Sequence, residues 1–60
     1  MRYDDAIKKH GGRDKLSAYE KGWIDGVFAF AHMKDGQNYV GTTGKLLGDA
    51  VDEFLMERRS

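Results

Sequence analysis

Apolar residues recur along the chain at helical spacing in three places, with glycines between them. Tyr3, Ala6 and Ile7 form one short apolar face and predict a helix from Tyr3 to about His10. Asp4 and Asp5 fall in its first turn and Lys8, Lys9 and His10 in its last, an order that complements the helix dipole. The same order sets Asp4 against Lys8 and Asp5 against Lys9 at i,i+4 spacing. Gly11 and Gly12 end the element, one of them in the left-handed conformation. So short a helix does not hold alone in water and must dock on something.

The second periodic stretch is the longest, from Asp14 or Ser17 to Lys34. Ser17-Ala18-Tyr19-Glu20 has the form of a capping box, and Asp14 offers an earlier cap. Leu16, Tyr19, Trp23, Val27 and Phe30 follow helical spacing, and Ile24, Phe28 and Ala31 widen the apolar arc. A helix apolar over so wide an arc is expected to be central, touching both neighbours. Ala18, Gly22 and Gly26 form a row of small residues at i,i+4 spacing. Each interior glycine costs about 1 kcal/mol relative to alanine, and the expected compensation is close approach of another backbone. Asp35-Gly36 marks a turn, and 37–41 reads as an extended linker with Tyr39 and Val40 plugging the core.

The third stretch begins near Thr42 or Thr43, either of which can cap it. Leu46, Leu47, Ala50, Val51, Phe54 and Leu55 repeat as a buried stripe, with Asp49, Asp52, Glu53 and Glu57 on the other side and Arg58 and Arg59 at the end. Together these elements predict an all-α fold. It is a three-helix small domain with a short first helix, a long central helix and an amphipathic C-terminal helix, in a single domain over residues 1–60.

Composition narrows the function. Sixty residues bury only about 60% of the surface that the unfolded chain exposes, so stability is marginal. Cysteine is absent, which removes disulfides and thiolate zinc sites and fits a reducing, cytoplasmic setting. No apolar run approaches the roughly 20 residues that span a bilayer, so no membrane role is expected. Ten basic and ten acidic residues balance. Lys8, Lys9, Arg13 and Lys15 give the first quarter a mild basic bias, and a nucleic-acid-binding or regulatory module using the Lys8–Lys21 region is the alternative reading.

Catalytic signals are thin. His10 and His32 lack a His-x-x-x-His or cysteine partner, although Asp25 and Asp35 flank His32 in sequence. Ser17, Thr42 and Thr43 are explained by capping. Gly41-Thr42-Thr43-Gly44-Lys45 lacks phosphate-loop spacing, and Leu46 stands where the metal-binding hydroxyl belongs. No enzyme activity, catalytic residue, cofactor or metal is expected.

Binding is better represented. Tyr3, Tyr19, Trp23, Phe28, Phe30, Tyr39 and Phe54 make seven aromatics, more than three short helices enclose. Aromatic anchors carry much interface energy. Tyr19, Trp23 and Phe28, with the acidic Asp49, Asp52 and Glu53 of the third helix, are therefore the expected partner-binding residues. The aromatic surplus and the Ala18-Gly22-Gly26 row also lead us to expect a homodimer.

Gly22-Trp23-Ile24-Asp25-Gly26-Val27, followed by Ala29 or Ala31, resembles the Gly-Tyr-Ile-x-Gly-Val motif of type VI secretion immunity proteins of the Rap/Tai kind, whose helical fold is related to the acid chaperone HdeA. Thr42-Thr43-Gly44-Lys45-Leu46, then Val51 and Phe54-Leu55, is similar to that family's second conserved helix, so the likeness runs from about Glu20 to Arg58. The family's disulfide has no counterpart, since one cysteine would fall at Glu20 and the other in the linker before Thr42. The resemblance implies a compact helical domain, often dimeric, that occludes another protein. The expected function is a small cytoplasmic protein-binding inhibitor or adaptor acting by steric occlusion. Inhibitors of this size are common on phages and mobile elements, where host nucleases and CRISPR complexes are their targets.

Overall fold

The computed structural model describes residues 1–41 and 44–60. Helix α1 spans Tyr3–Lys9, a 3-10 turn covers Arg13–Lys15, and α2 spans Ala18–Phe30. Strands β1 (Ala31–Lys34), β2 (Gln37–Val40) and β3 (Lys45–Leu46) follow, and α3 (Leu47–Arg59) closes the chain. The strands form one antiparallel sheet in the order β1-β2-β3. The fold is therefore mixed α/β, and the all-α expectation is overturned.

The difference arises at the end of α2. Helical spacing continues through Lys34, yet the helix stops at Phe30 and the next four residues run extended. Asp35 (φ 52°) and Gly36 (φ 79°) both take the left-handed conformation. Two such residues make the type I′ turn whose twist matches a tight hairpin. The turn brings Lys34 opposite Gln37, Met33 opposite Asn38, His32 opposite Tyr39 and Ala31 opposite Val40. The supposed linker is thus the middle strand. It pairs onward through Tyr39 with Leu46 and Val40 with Lys45, so α3 begins at Leu47 rather than near Thr42 or Thr43. Those two threonines, with the caps expected of them, lie outside the described residues.

Local signals elsewhere do what their chemistry dictates. The α1 terminus is a Schellman motif: Gly12 N–H donates to the Ile7 carbonyl (2.9 Å) and Gly11 N–H to that of Lys8 (3.0 Å). Ser17 caps α2, its hydroxyl accepting from Glu20 N–H (3.2 Å) while the Glu20 carboxylate accepts from Ser17 N–H (2.8 Å).

The hub is α3, not α2. It packs on α1, α2, β2 and β3, and it buries Leu47, Gly48, Val51 and Leu55. Helix α2 buries only Glu20 and Ile24. Ala6, Ile7, Leu16 and Ile24 complete the core, which is wholly aliphatic. The close backbone approach expected at Gly22 and Gly26 occurs instead at Gly48. A methyl group there would overlap the carbonyl groups of Met1 and Arg2, whereas one at Gly22 or Gly26 would meet nothing within 4 Å.

Candidate interaction surface

An aliphatic core leaves every aromatic side chain at or near the surface. Tyr19 is 62% exposed, Phe28 50% and Phe30 62%, and Met33 reaches 70%. Trp23 is half-buried, stacked face to face on Phe54 with ring centroids 3.8 Å apart and planes 5° from parallel. Tyr19 tilts against the same Phe54 ring at 6.2 Å, and the Arg58 guanidinium lies 4.7 Å from the Tyr19 ring centre. Cation–π contact and stacking hold these large side chains in place. Phe28 sits across α2 from them, its ring 5.1 Å from that of Tyr3. Burial raises the Tyr3 pKa, while the neighbouring Arg13 acts against that shift.

Two exposed positions escaped the sequence reading. Phe30 belongs to the helical stripe and position 33 falls within the predicted second helix, but Phe30 is the last residue of α2 and Met33 lies on β1. The signal that finds them is Asp35-Gly36 flanked by residues able to alternate, which marks a hairpin rather than a simple helix stop.

Three of the four acidic positions of α3 are matched within the chain. Asp49 pairs with the N-terminal ammonium group at 2.9 Å. Asp52 receives His10 Nε2 at 2.8 Å and Lys9 Nζ at 3.2 Å. Glu53 pairs with Lys45. Asp52 consequently has a lowered pKa, chiefly through its hydrogen bond from His10, with Lys9 adding to the effect and burial opposing it. These contacts clamp α1 and β3 onto α3. Of the six residues singled out for partner binding, the structure exposes Tyr19 and Phe28 and packs Trp23 beside Tyr19. It engages Asp49, Asp52 and Glu53 in internal ion pairs.

The basic region is divided in the same way. Lys9 is committed to Asp52, and one nitrogen of Arg13 donates to both oxygens of Asp25 at 3.1 and 2.9 Å. Among the described residues Lys8, Lys15 and Lys21 have no ion-pair partner; they are spread over α1, the 3-10 turn and α2. His10 serves as a strut between helices, and His32 stacks on Tyr39 at 6.0 Å. Among the described residues no three His, Cys, Asp or Glu side chains gather as metal ligands would. No helix among them is long and apolar enough to cross a membrane.

A cleft of about 910 Å³ opens between the N-terminal segment, the end of α2 and the hairpin, with Tyr3, Phe28, Met33, Leu46 and Leu47 among its walls. Asp4 and Asp5 also line it, without an ion-pair partner among the described residues. No protein-family model, curated protein or solved structure matches the chain.

Proposed function

We propose that this chain is a small protein-binding module, an inhibitor or adaptor that acts by covering a working surface of another protein. The observation that carries the reading is the inverted placement of its large side chains. The core is aliphatic, while Tyr19, Phe28, Phe30 and Met33 are half or more exposed. Scattered exposed apolar residues are ordinary, but three large aromatics on one helix, with Met33 on the strand after it, resemble the anchors that dominate interfaces. The absence of cysteine fits a cytoplasmic setting for this activity. The mechanism is steric, and the internal ion pairs of Asp49, Asp52 and Glu53 favour the exposed aromatic side chains over these carboxylates as the contact residues.

The test is affinity capture of the tagged chain from a host lysate, read by mass spectrometry, beside a Tyr19→Ser, Phe28→Ser, Phe30→Ser variant. Its folding is checked by circular dichroism. The wild type should retain one protein in stoichiometric amount, and the variant should lose it by at least about thirtyfold, as removal of a 2 kcal/mol hot spot requires. Equal retention by the folded variant refutes the role of the aromatic surface.

A further inference from the structure

Among the described residues strand β1 has a neighbouring strand on one side only. It forms one edge of the sheet, and its pairing with β2 is continuous from Ala31 to Lys34, without a bulge. The opposite edge, β3, is two residues long and runs straight into α3. The chain contains no proline to interrupt β1, and His32, Met33 and Lys34 are all exposed. A regular, uncovered edge presents unpaired backbone groups that can accept another strand.

The register divides the side chains of β1 between two chemistries. Residues directly opposite in an antiparallel pair share a face. Ala31, Met33, Asn38 and Val40 therefore lie on one face of the hairpin, and His32, Lys34, Gln37 and Tyr39 on the other. Ala31 and Val40 pack on the core, and Met33 carries that face on to the cleft beside Phe28. The other face is basic: neither Lys34 nor His32 has a carboxylate partner among the described residues. The only carboxylate of the hairpin, Asp35, belongs to the turn.

We propose that β1 is a docking edge for an extended segment of another protein in which acidic and apolar residues alternate. This deepens the protein-binding reading and rests on it. Main-chain hydrogen bonds to β1 supply affinity, and alternate side chains supply selectivity. The residue opposite Met33 shares its face and meets Phe28 and the cleft, where an apolar group is favoured. Residues opposite His32 and Lys34 lie on the basic face, where carboxylates are favoured. The reverse register is penalised, because an acidic residue at the cleft would approach Asp4 and Asp5, which line it. A second copy of the chain fits poorly. Two β1 strands related by a two-fold axis normal to the sheet pair only residues of like face. His32 would then meet His32 or Lys34 of the other copy, or Lys34 would meet Lys34, so no register sets a carboxylate directly opposite Lys34.

The experiment titrates the full chain with a seven-residue capped peptide of alternating glutamate and valine, followed by amide NMR and hydrogen exchange. Two controls are a peptide of the same composition in two blocks and the alternating peptide N-methylated at every second residue. Expected are saturable binding of the alternating peptide, slower exchange within 31–34, and at least tenfold weaker binding of each control. Lys34→Glu, an exposed position that leaves the fold intact, should weaken binding about tenfold, and a lysine–valine peptide should bind that variant better than the wild type. Equal binding of the controls, absence of binding at millimolar peptide, or protection of 31–34 that grows with protein concentration alone overturns the proposal. Failure of the peptide while Tyr19, Phe28 and Phe30 still govern capture from lysate removes the docking edge and leaves the protein-binding reading standing.

Discussion

Among the described residues Glu20 is the only buried charged side chain, and its carboxylate joins three parts of the chain. It accepts from Ser17 N–H at 2.8 Å, from Arg58 Nε at 2.9 Å and from Arg59 at 3.1 Å. The start of α2 is thereby tied to the end of α3. The Ser17 N–H is the main reason its pKa falls from 4.5 to about 2; burial opposes the shift, and Arg58 and Arg59 reinforce it. A carboxyl whose folded pKa is depressed contributes stability above its unfolded value and loses it as pH falls through the folded one. The melting temperature should therefore drop between pH 4.5 and about 2. Glutamine preserves the capping geometry but cannot ionise, so Glu20→Gln should be less stable at neutral pH and show a shallower drop across that window. Circular dichroism melts at several pH values decide it, and a drop of unchanged size in the variant counts against this account. Glycines at this scale give opposite predictions. Gly22→Ala and Gly26→Ala should each stabilise by about 0.5–1 kcal/mol, since a methyl meets nothing there. Gly48→Ala should destabilise by about 1–3 kcal/mol, because the backbone of Met1 and Arg2 occupies the space. Shifts of about 4–8 °C in melting temperature per kcal/mol make these changes measurable.

At the scale of elements, α3 holds the fold, and its deepest side chains should be the costliest to truncate. Leu55→Ala removes a fully buried side chain and should lose about 2–5 kcal/mol, enough to unfold much of so small a domain. A melting temperature within a few degrees of the wild type would contradict the placement of α3 as hub. The end of α1 and the start of α2 were legible in the sequence because caps act within a few residues: Gly11 with Gly12, and Ser17 with Glu20. The strands were not. His32, Met33 and Lys34 carry no local bar to helix, and their conformation is decided by pairing with 37–40 across the turn. The candidate surface was legible by half for the same reason. A surplus of aromatics in a short chain foretells exposure, as Tyr19 and Phe28 show. That Asp52 was already occupied depended on His10 and Lys9, 42 and 43 residues away.

For the molecule as a whole, the exposed aromatic and methionine side chains also motivate our proposal that it self-associates. Light scattering should show a mass rising above the monomer at high micromolar concentration, and a strict monomer there refutes it. If α2 packs on α2 of a second copy, Gly22→Ala and Gly26→Ala should weaken that association while stabilising the monomer, so one pair of variants separates the two effects.

The docking of α1 on α3 has a consequence for how the chain acquires its shape. The first and last helices form the largest interhelical contact, and Ala6 and Ile7 share one core with Val51 and Leu55. Contacts between residues so far apart in sequence form late, after the entropy of closing the intervening loop has been met. During synthesis Ile7, Leu16 and Ile24 must wait, uncovered, until α3 has left the ribosome. The native state is thus reached only once α3 is available, and a chain truncated before α3 is a substrate for chaperones and proteases rather than a folded intermediate.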